Sequence, residues 1–208
     1  MKRILSALAL TAMAAGANAA LTFAGGTAQT IAGYDPTGGT APQTFGVRGG
    51  MISAPNAGTL TATFLGFEAI DTDNYTFSLA SGTIVNKTAI PNVTSIFGPV
   101  GAAGPLTFTF TDTASGGSVG NGQAGTGVLS YVILGSGTLA AFTPYTMGGA
   151  YDLVLGFNDG LAVDGDYDDL VVGLRLSPIP EPESYALMLA GLGAIGFMAR
   201  RRQRRNGA

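Results

Sequence analysis

Between Ala20 and Leu176 the chain alternates apolar and polar residues in short runs. Leu106-Thr107-Phe108-Thr109-Phe110-Thr111 alternates at every step, and so does Tyr75-Thr76-Phe77-Ser78-Leu79. Leu60, Ala62 and Phe64 share one face, with threonines between them. A period of two places successive side chains on opposite faces of a strand. Three further runs, 128–134, 151–157 and 170–176, predict additional strands. Turn-forming clusters such as Asp35-Pro36-Thr37-Gly38-Gly39 and Ser115-Gly116-Gly117 separate the runs. No long 3.6-residue period appears. The pattern predicts an all-β domain over residues 20–177, an antiparallel β-sandwich or jelly roll whose sheets carry one apolar and one Thr/Ser face. The Gly/Thr-rich stretch 116–127 reads as a long mobile loop.

Both ends break this pattern. Lys2 and Arg3 precede an uncharged Ala/Leu-rich run, and Gly16-Ala17-Asn18-Ala19-Ala20 follows it. Basic start, short apolar core and small residues at Ala17 and Ala19 predict a signal peptide over residues 1–19, cleaved before Ala20 by signal peptidase. The apolar run is too short to span a bilayer comfortably. At the other end, Pro178-Ile179-Pro180-Glu181-Pro182 must be extended, because proline fixes φ and removes a donor. Residues 184–199 then run without a charge, about 24 Å as a helix. This predicts a single short transmembrane helix. Arg200, Arg201, Arg202, Arg204 and Arg205 close the segment. By the positive-inside rule they stay cytoplasmic while everything before the helix is exported. The two end signals agree on one topology.

Composition narrows the chemistry. The chain has no Cys, no His and no Trp. Disulfides, zinc sites built on Cys or His, Ser-His-Asp triads and Cys nucleophiles are therefore excluded. Between Ala20 and Ile179 three basic residues (Arg48, Lys87, Arg175) face eleven acidic ones, a net of −8. Such a domain is repelled by phosphate backbones, so nucleic acid is not an expected partner.

The Pro180-Glu181-Pro182 motif, the apolar helix and the terminal arginines, in that order, resemble the PEP-CTERM sorting signal over residues 178–208. The resemblance implies an integral-membrane exosortase that recognises the motif and removes the tail. It also implies passage through the inner membrane of a Gram-negative bacterium, delivery to the cell surface or extracellular matrix, and an association with exopolysaccharide or biofilm. An alternative for the same tail is a permanent anchor.

The segment Asn158-Asp159-Gly160-Leu161-Ala162-Val163-Asp164-Gly165-Asp166-Tyr167-Asp168-Asp169 concentrates five carboxylates between two predicted strands. Oxygen-only ligands crowded in a loop suit Ca²⁺, which makes Asp159, Asp164, Asp166, Asp168 and Asp169 a candidate calcium set and calcium the one candidate cofactor. The spacing opens like an EF-hand loop but places Asp169 at its sixth position and Arg175 at its twelfth, so it is not one. The segment resembles an Asp-x-Asp-Tyr-(Asn/Asp)-Asp stretch found just upstream of many PEP-CTERM tails. A solvated turn, or an aspartate capping the last strand, are the plain structural alternatives.

The resulting expectation is a non-catalytic exported surface or matrix protein. The alternatives are a carbohydrate- or calcium-binding module, with Tyr34, Tyr131, Tyr145 and Tyr151 as aromatic platforms, and a carboxylate-based glycoside hydrolase. No catalytic residue is assigned.

Overall fold

The computed structural model describes residues 20–34, 43–67, 74–125, 129–159, 167–179 and 182–206. In chain order the strands are β1 (Thr22–Ala24), β2 (Thr27–Tyr34), β3 (Gln43–Arg48), β4 (Met51–Ala54), β5 (Gly58–Gly66), β6 (Tyr75–Leu79), β7 (Gly82–Val85) and β8 (Ser95–Val100). They continue as β9 (Gly104–Pro105), β10 (Thr109–Asp112), β11 (Ser118–Gly120), β12 (Ser130–Thr138), β13 (Ala141–Pro144), β14 (Leu153–Asn158) and β15 (Leu170–Pro178). One helix, α1 (Pro182–Asn206), follows.

Among the described residues every strand pairing is antiparallel, as the alternating runs predict. An eight-stranded sheet orders β2-β3-β12-β14-β15-β5-β8, with β13 paired to β12. A four-stranded sheet orders β11-β10-β6-β7, and a three-stranded one β1-β4-β9. Their apolar faces share one core. Phe110 of the four-stranded sheet stacks on Phe157 of the large one, with centroids 5.1 Å apart and planes 3° from parallel. Tyr75 meets the same Phe157 edge-on at 5.9 Å. Each such ring, fully buried, contributes about 1.5–3 kcal/mol.

Two predicted segments come out differently. The run 106–111 is a strand only from Thr109. Before that, Leu106 N–H donates to Ile52 O (3.0 Å), tying the chain to the three-stranded sheet instead. The stretch 116–127 contains β11, and next to it Asn121 works as a staple. Its Nδ2 donates to Ile52 O (2.7 Å) and Leu106 O (2.8 Å), and its Oδ1 accepts from Ile52 N–H (2.7 Å). One amide side chain thus bonds backbone groups of β4 and of the segment that follows β9.

The expectation of a Thr/Ser outer face fails at the centre of the large sheet. Val132 and Leu134 of β12, Val154 of β14 and Val171 of β15 form a second buried cluster with Ile31, Leu65 and Tyr167. Tyr145, Met147 and Tyr151 pack over it. These three strands are covered on both faces, which is why their sequences read as continuous apolar runs. Glycines make the room. A Cβ on Gly173 would come within 2.6 Å of the Tyr151 ring, and one on Gly156 within 2.4 Å of Tyr167 O.

Candidate functional site

Two regions carry the residues singled out by sequence. The first is the C-terminal tail. Strand β15 pairs with β5 as far as Pro178, opposite Gly58, and Ile179 N–H donates to Ala57 O at 3.3 Å. The ladder stops there because Pro180, lacking an N–H, cannot extend it. Helix α1 begins at Pro182, whose fixed φ and missing donor suit a first helical position. Of the sorting residues, Pro182 is therefore the start of the helix, while Pro180 and Glu181 lie outside the described residues. The predicted helix 184–199 falls within α1, which runs on through Arg200, Arg201, Arg202, Arg204 and Arg205.

The described side chains of α1, from Leu187 to Arg200, are exposed. Leu187, Met188, Leu189, Leu192, Ile195, Phe197 and Met198 are each more than half exposed. At about 100° per residue they are spread around the helix axis instead of forming one stripe. A helix apolar on all sides needs an apolar surround that the described residues do not supply. Among the described residues, no helix is long and apolar enough to cross a membrane. The predicted signal peptide, residues 1–19 with Ala17 and Ala19, lies outside the described residues, and Ala20 is the first of them, exposed.

The second region is the acidic segment between β14 and β15. Asp159, Asp168 and Asp169 are described and each is only 7% exposed, whereas Asp164 and Asp166 lie outside the described residues. Asp169 Oδ2 accepts from Asp159 N–H at 2.7 Å, closing the neck of the connection. Asp159 Oδ2 accepts from Tyr75 Oη–H at 2.5 Å, joining the neck to the four-stranded sheet. Tyr167 adopts a left-handed φ of 61°, unusual for a bulky residue, with its hydroxyl 3.2 Å from Ser130 Oγ. Two of the five acids thus have structural tasks that sequence reasoning offered only as an alternative. Among the described residues, no group of three or more acidic side chains is arranged to hold a metal ion.

Of the four tyrosines named as aromatic platforms, Tyr131 is not available as one. Tyr131 is wholly buried; its hydroxyl donates to Gly50 O (2.6 Å) and accepts from Gly122 N–H (2.9 Å). Burial pushes its pKa above the ordinary value of 10.0, against the opposing pull of the Gly122 bond. Tyr145 and Tyr151 are half-buried over the second cluster, and the Tyr34 side chain lies outside the described set. What sequence reasoning missed is Asn121, Tyr75 as partner of Asp159, and the glycine seats under Tyr151 and Tyr167. Only the glycines left a signal, as interruptions inside strand patterns.

The comparisons with known proteins bear on the first region. No curated protein and no solved structure matches the chain. A family profile described as the PEP-CTERM protein-sorting motif matches residues 178–203, from the last paired residue of β15 through most of α1. That motif marks an exported protein, processed by an exosortase and sorted to the cell envelope. The chain accordingly carries a PEP-CTERM protein-sorting motif, of the kind borne by exosortase substrates, joined directly to the last strand of an antiparallel β domain.

Proposed function

We propose that the protein is a non-catalytic component of the cell surface or extracellular matrix, associated with exopolysaccharide. Signal peptidase frees Ala20, the tail holds the chain in the inner membrane transiently, and exosortase cleaves near Pro180-Glu181-Pro182. The observation that carries this reading is the sorting motif at residues 178–203, followed by a helix whose large apolar side chains have no cover. The missing Cys, His and Trp support a role without proton-transfer or nucleophilic chemistry. The uncharged run of 184–199 is slightly short for a hydrocarbon core, which suits a span that is made and then removed. The test is cell fractionation of Pro180→Ala/Pro182→Ala against the unaltered chain. The double variant is expected to stay in the membrane fraction at full length. Its release at the normal rate would reject motif-directed cleavage.

A second reading adds calcium at the acidic segment. What favours it is that β14 and β15 bring Asp159, Asp168 and Asp169 to one end of the domain, with Asp164 and Asp166 in the connection between. Because Asp159 and Asp169 already accept structural hydrogen bonds, Asp164 and Asp166 would have to complete the ligand set. Calorimetry with millimolar Ca²⁺ is expected to show heat and a raised Tm. Neither effect would reject it. The glycosidase reading has less support. The Asp169 carboxylate accepts from Asp159 N–H and the Asp159 carboxylate from Tyr75 Oη–H, both in a buried neck and not set across an open cleft.

A further inference from the structure

On β5, β8 and β15 every second residue turns away from the core. Leu60, Ala62, Leu174 and Leu176 face inward, and Ile96 and Val100 pack against the same core. The residues between them fall in three cross-strand rows on the outer face. These are Gly173, Thr63 and Ser95; Arg175, Thr61 and Phe97; and Ser177, Thr59 and Pro99. Strand β5 gives each row a threonine. Thr63 is buried and shares a 2.9 Å hydrogen bond with Ser95 through their hydroxyls. Thr61 is half-buried, while Thr59 and Ser177 are exposed. Longer side chains flank this line of short ones. Phe97 is on the β8 side. On the β15 side the ring of Tyr151 covers Gly173, and the Arg175 guanidinium donates to Ala150 O at 3.2 Å.

Phe97 differs from the other rings of the domain. Every other described phenylalanine of the domain contacts a further aromatic ring. Phe97 contacts none among the described residues and is 59% exposed. The strand beneath it is an edge, but a closed one. Ser81 Oγ–H donates to Phe97 O, and Pro99, two residues on, has no N–H to offer. A further strand cannot extend the sheet here, so whatever meets Phe97 meets its side chain. Ile90 and Val93 are also exposed, but they lie in the turn before β8, where Asn92 has a left-handed φ of 61°, outside the three rows. Arg175 is the only charged member of the rows. Asp152, next to Tyr151, is tied through Oδ2 to Leu176 N–H at 2.8 Å.

We infer that this face binds a neutral polysaccharide, with one pyranose ring stacked on Phe97. The inference rests on the proposed association with exopolysaccharide and gives it a site. A pyranose presents C–H bonds on its faces and hydroxyls around its rim. The C–H side suits the electron-rich face of an aromatic ring. The rim meets the Thr61 hydroxyl one strand away, about 5 Å, and the Arg175 guanidinium two strands away, about 10 Å. A stacked sugar and the next one in the same chain can therefore both be held. The other occupants fit less well. Protein interfaces concentrate their energy on clustered aromatic and Arg anchors and seldom on Ser or Thr. Lipid would strip water from these hydroxyls and give no partner back. A polyanionic glycan would be repelled by a domain whose three basic and eleven acidic residues between Ala20 and Ile179 leave −8.

For the test, exopolysaccharide stripped from the native cells is separated by anion exchange into neutral and acidic fractions. The full chain, in detergent micelles, is titrated with each. The neutral fraction is expected to bind. Phe97→Ala should weaken that binding about tenfold, as loss of an aromatic anchor does, and leave Tm unchanged because the ring is largely exposed. Phe97→Leu should weaken it as much and Phe97→Trp should preserve it, since the ring face and not the apolar area is what the sugar contacts. Phe97→Leu binding like the unaltered chain overturns the stacking. Neutral-fraction binding that none of the three variants changes overturns the site and leaves the exopolysaccharide reading intact. Binding of the acidic fraction alone overturns the neutral ligand. Binding of neither fraction overturns both the site and the exopolysaccharide reading. A dimer that dissociates in Phe97→Ala, with glycan binding unchanged, assigns the face to a second copy and overturns the inference.

Discussion

Strand β14 and helix α1 are both apolar runs, and they meet opposite fates. All six residues of Leu153–Asn158 are buried. Every large apolar side chain between Leu187 and Met198 is more than half exposed. The difference is whether the chain supplies the partner. β14 lies between β12 and β15, with Phe110 and Tyr75 on one side and the second cluster on the other. α1 is apolar around its axis between Leu187 and Met198, and nothing among the described residues covers those side chains. One run holds the fold together; the other moves it to where it is used.

Tail deletion should break this comparison most completely. A chain ending at Ile179 is expected to lose all membrane association while its Tm moves by less than about 2 °C, because the removed helix buries nothing in the domain. Scanning calorimetry and flotation check the two halves. A large fall in Tm would show that α1 packs on the domain. Within the domain, Phe157→Ala removes the ring shared by Phe110 and Tyr75. It should cost about 4 kcal/mol in urea unfolding and leave sorting of the folded fraction unchanged.

Asn121→Ala should cost about 2 kcal/mol, since it removes the partner of Ile52 N–H and a donor to Leu106 O, while Ile52 O keeps its bond from Leu106 N–H. Gly156→Ala should cost about 2 kcal/mol, because a Cβ there meets the backbone carbonyl of Tyr167, which cannot swing aside. The smallest effect concerns alkali. Tyr131 has a pKa raised by burial in the folded state. Its contribution is fully present below the ordinary tyrosine pKa and is lost as pH rises through the folded value. Tyr131→Phe should therefore be about 1 kcal/mol less stable at pH 7 and show a shallower loss above about pH 10. Urea midpoints across pH check both signs.

What could be read from the sequence divides along the same line. Alternation gave β6 with its full bounds, and the continuous runs located β12, β14 and β15, since period and apolarity are local properties. The tail was legible because a sorting signal must be read by another protein as a linear segment. Sheet order was not legible. That β5 lies beside β15, and that Asn121 reaches Ile52, depends on contacts between distant segments, for which one sequence carries no local mark. The acidic segment lay between these cases. Its composition suggested a cation, but the Tyr75–Asp159 and Asp159–Asp169 bonds needed three separate elements to be brought together.

The most direct test of the central claim is the intact mass of the mature protein from native cells, taken separately from membrane, surface and medium. The account predicts a surface or medium species that begins at Ala20 and ends between Pro180 and Pro182, with the β domain whole. A species confined to the membrane that still carries Arg205 would contradict it, and would make α1 a lasting anchor.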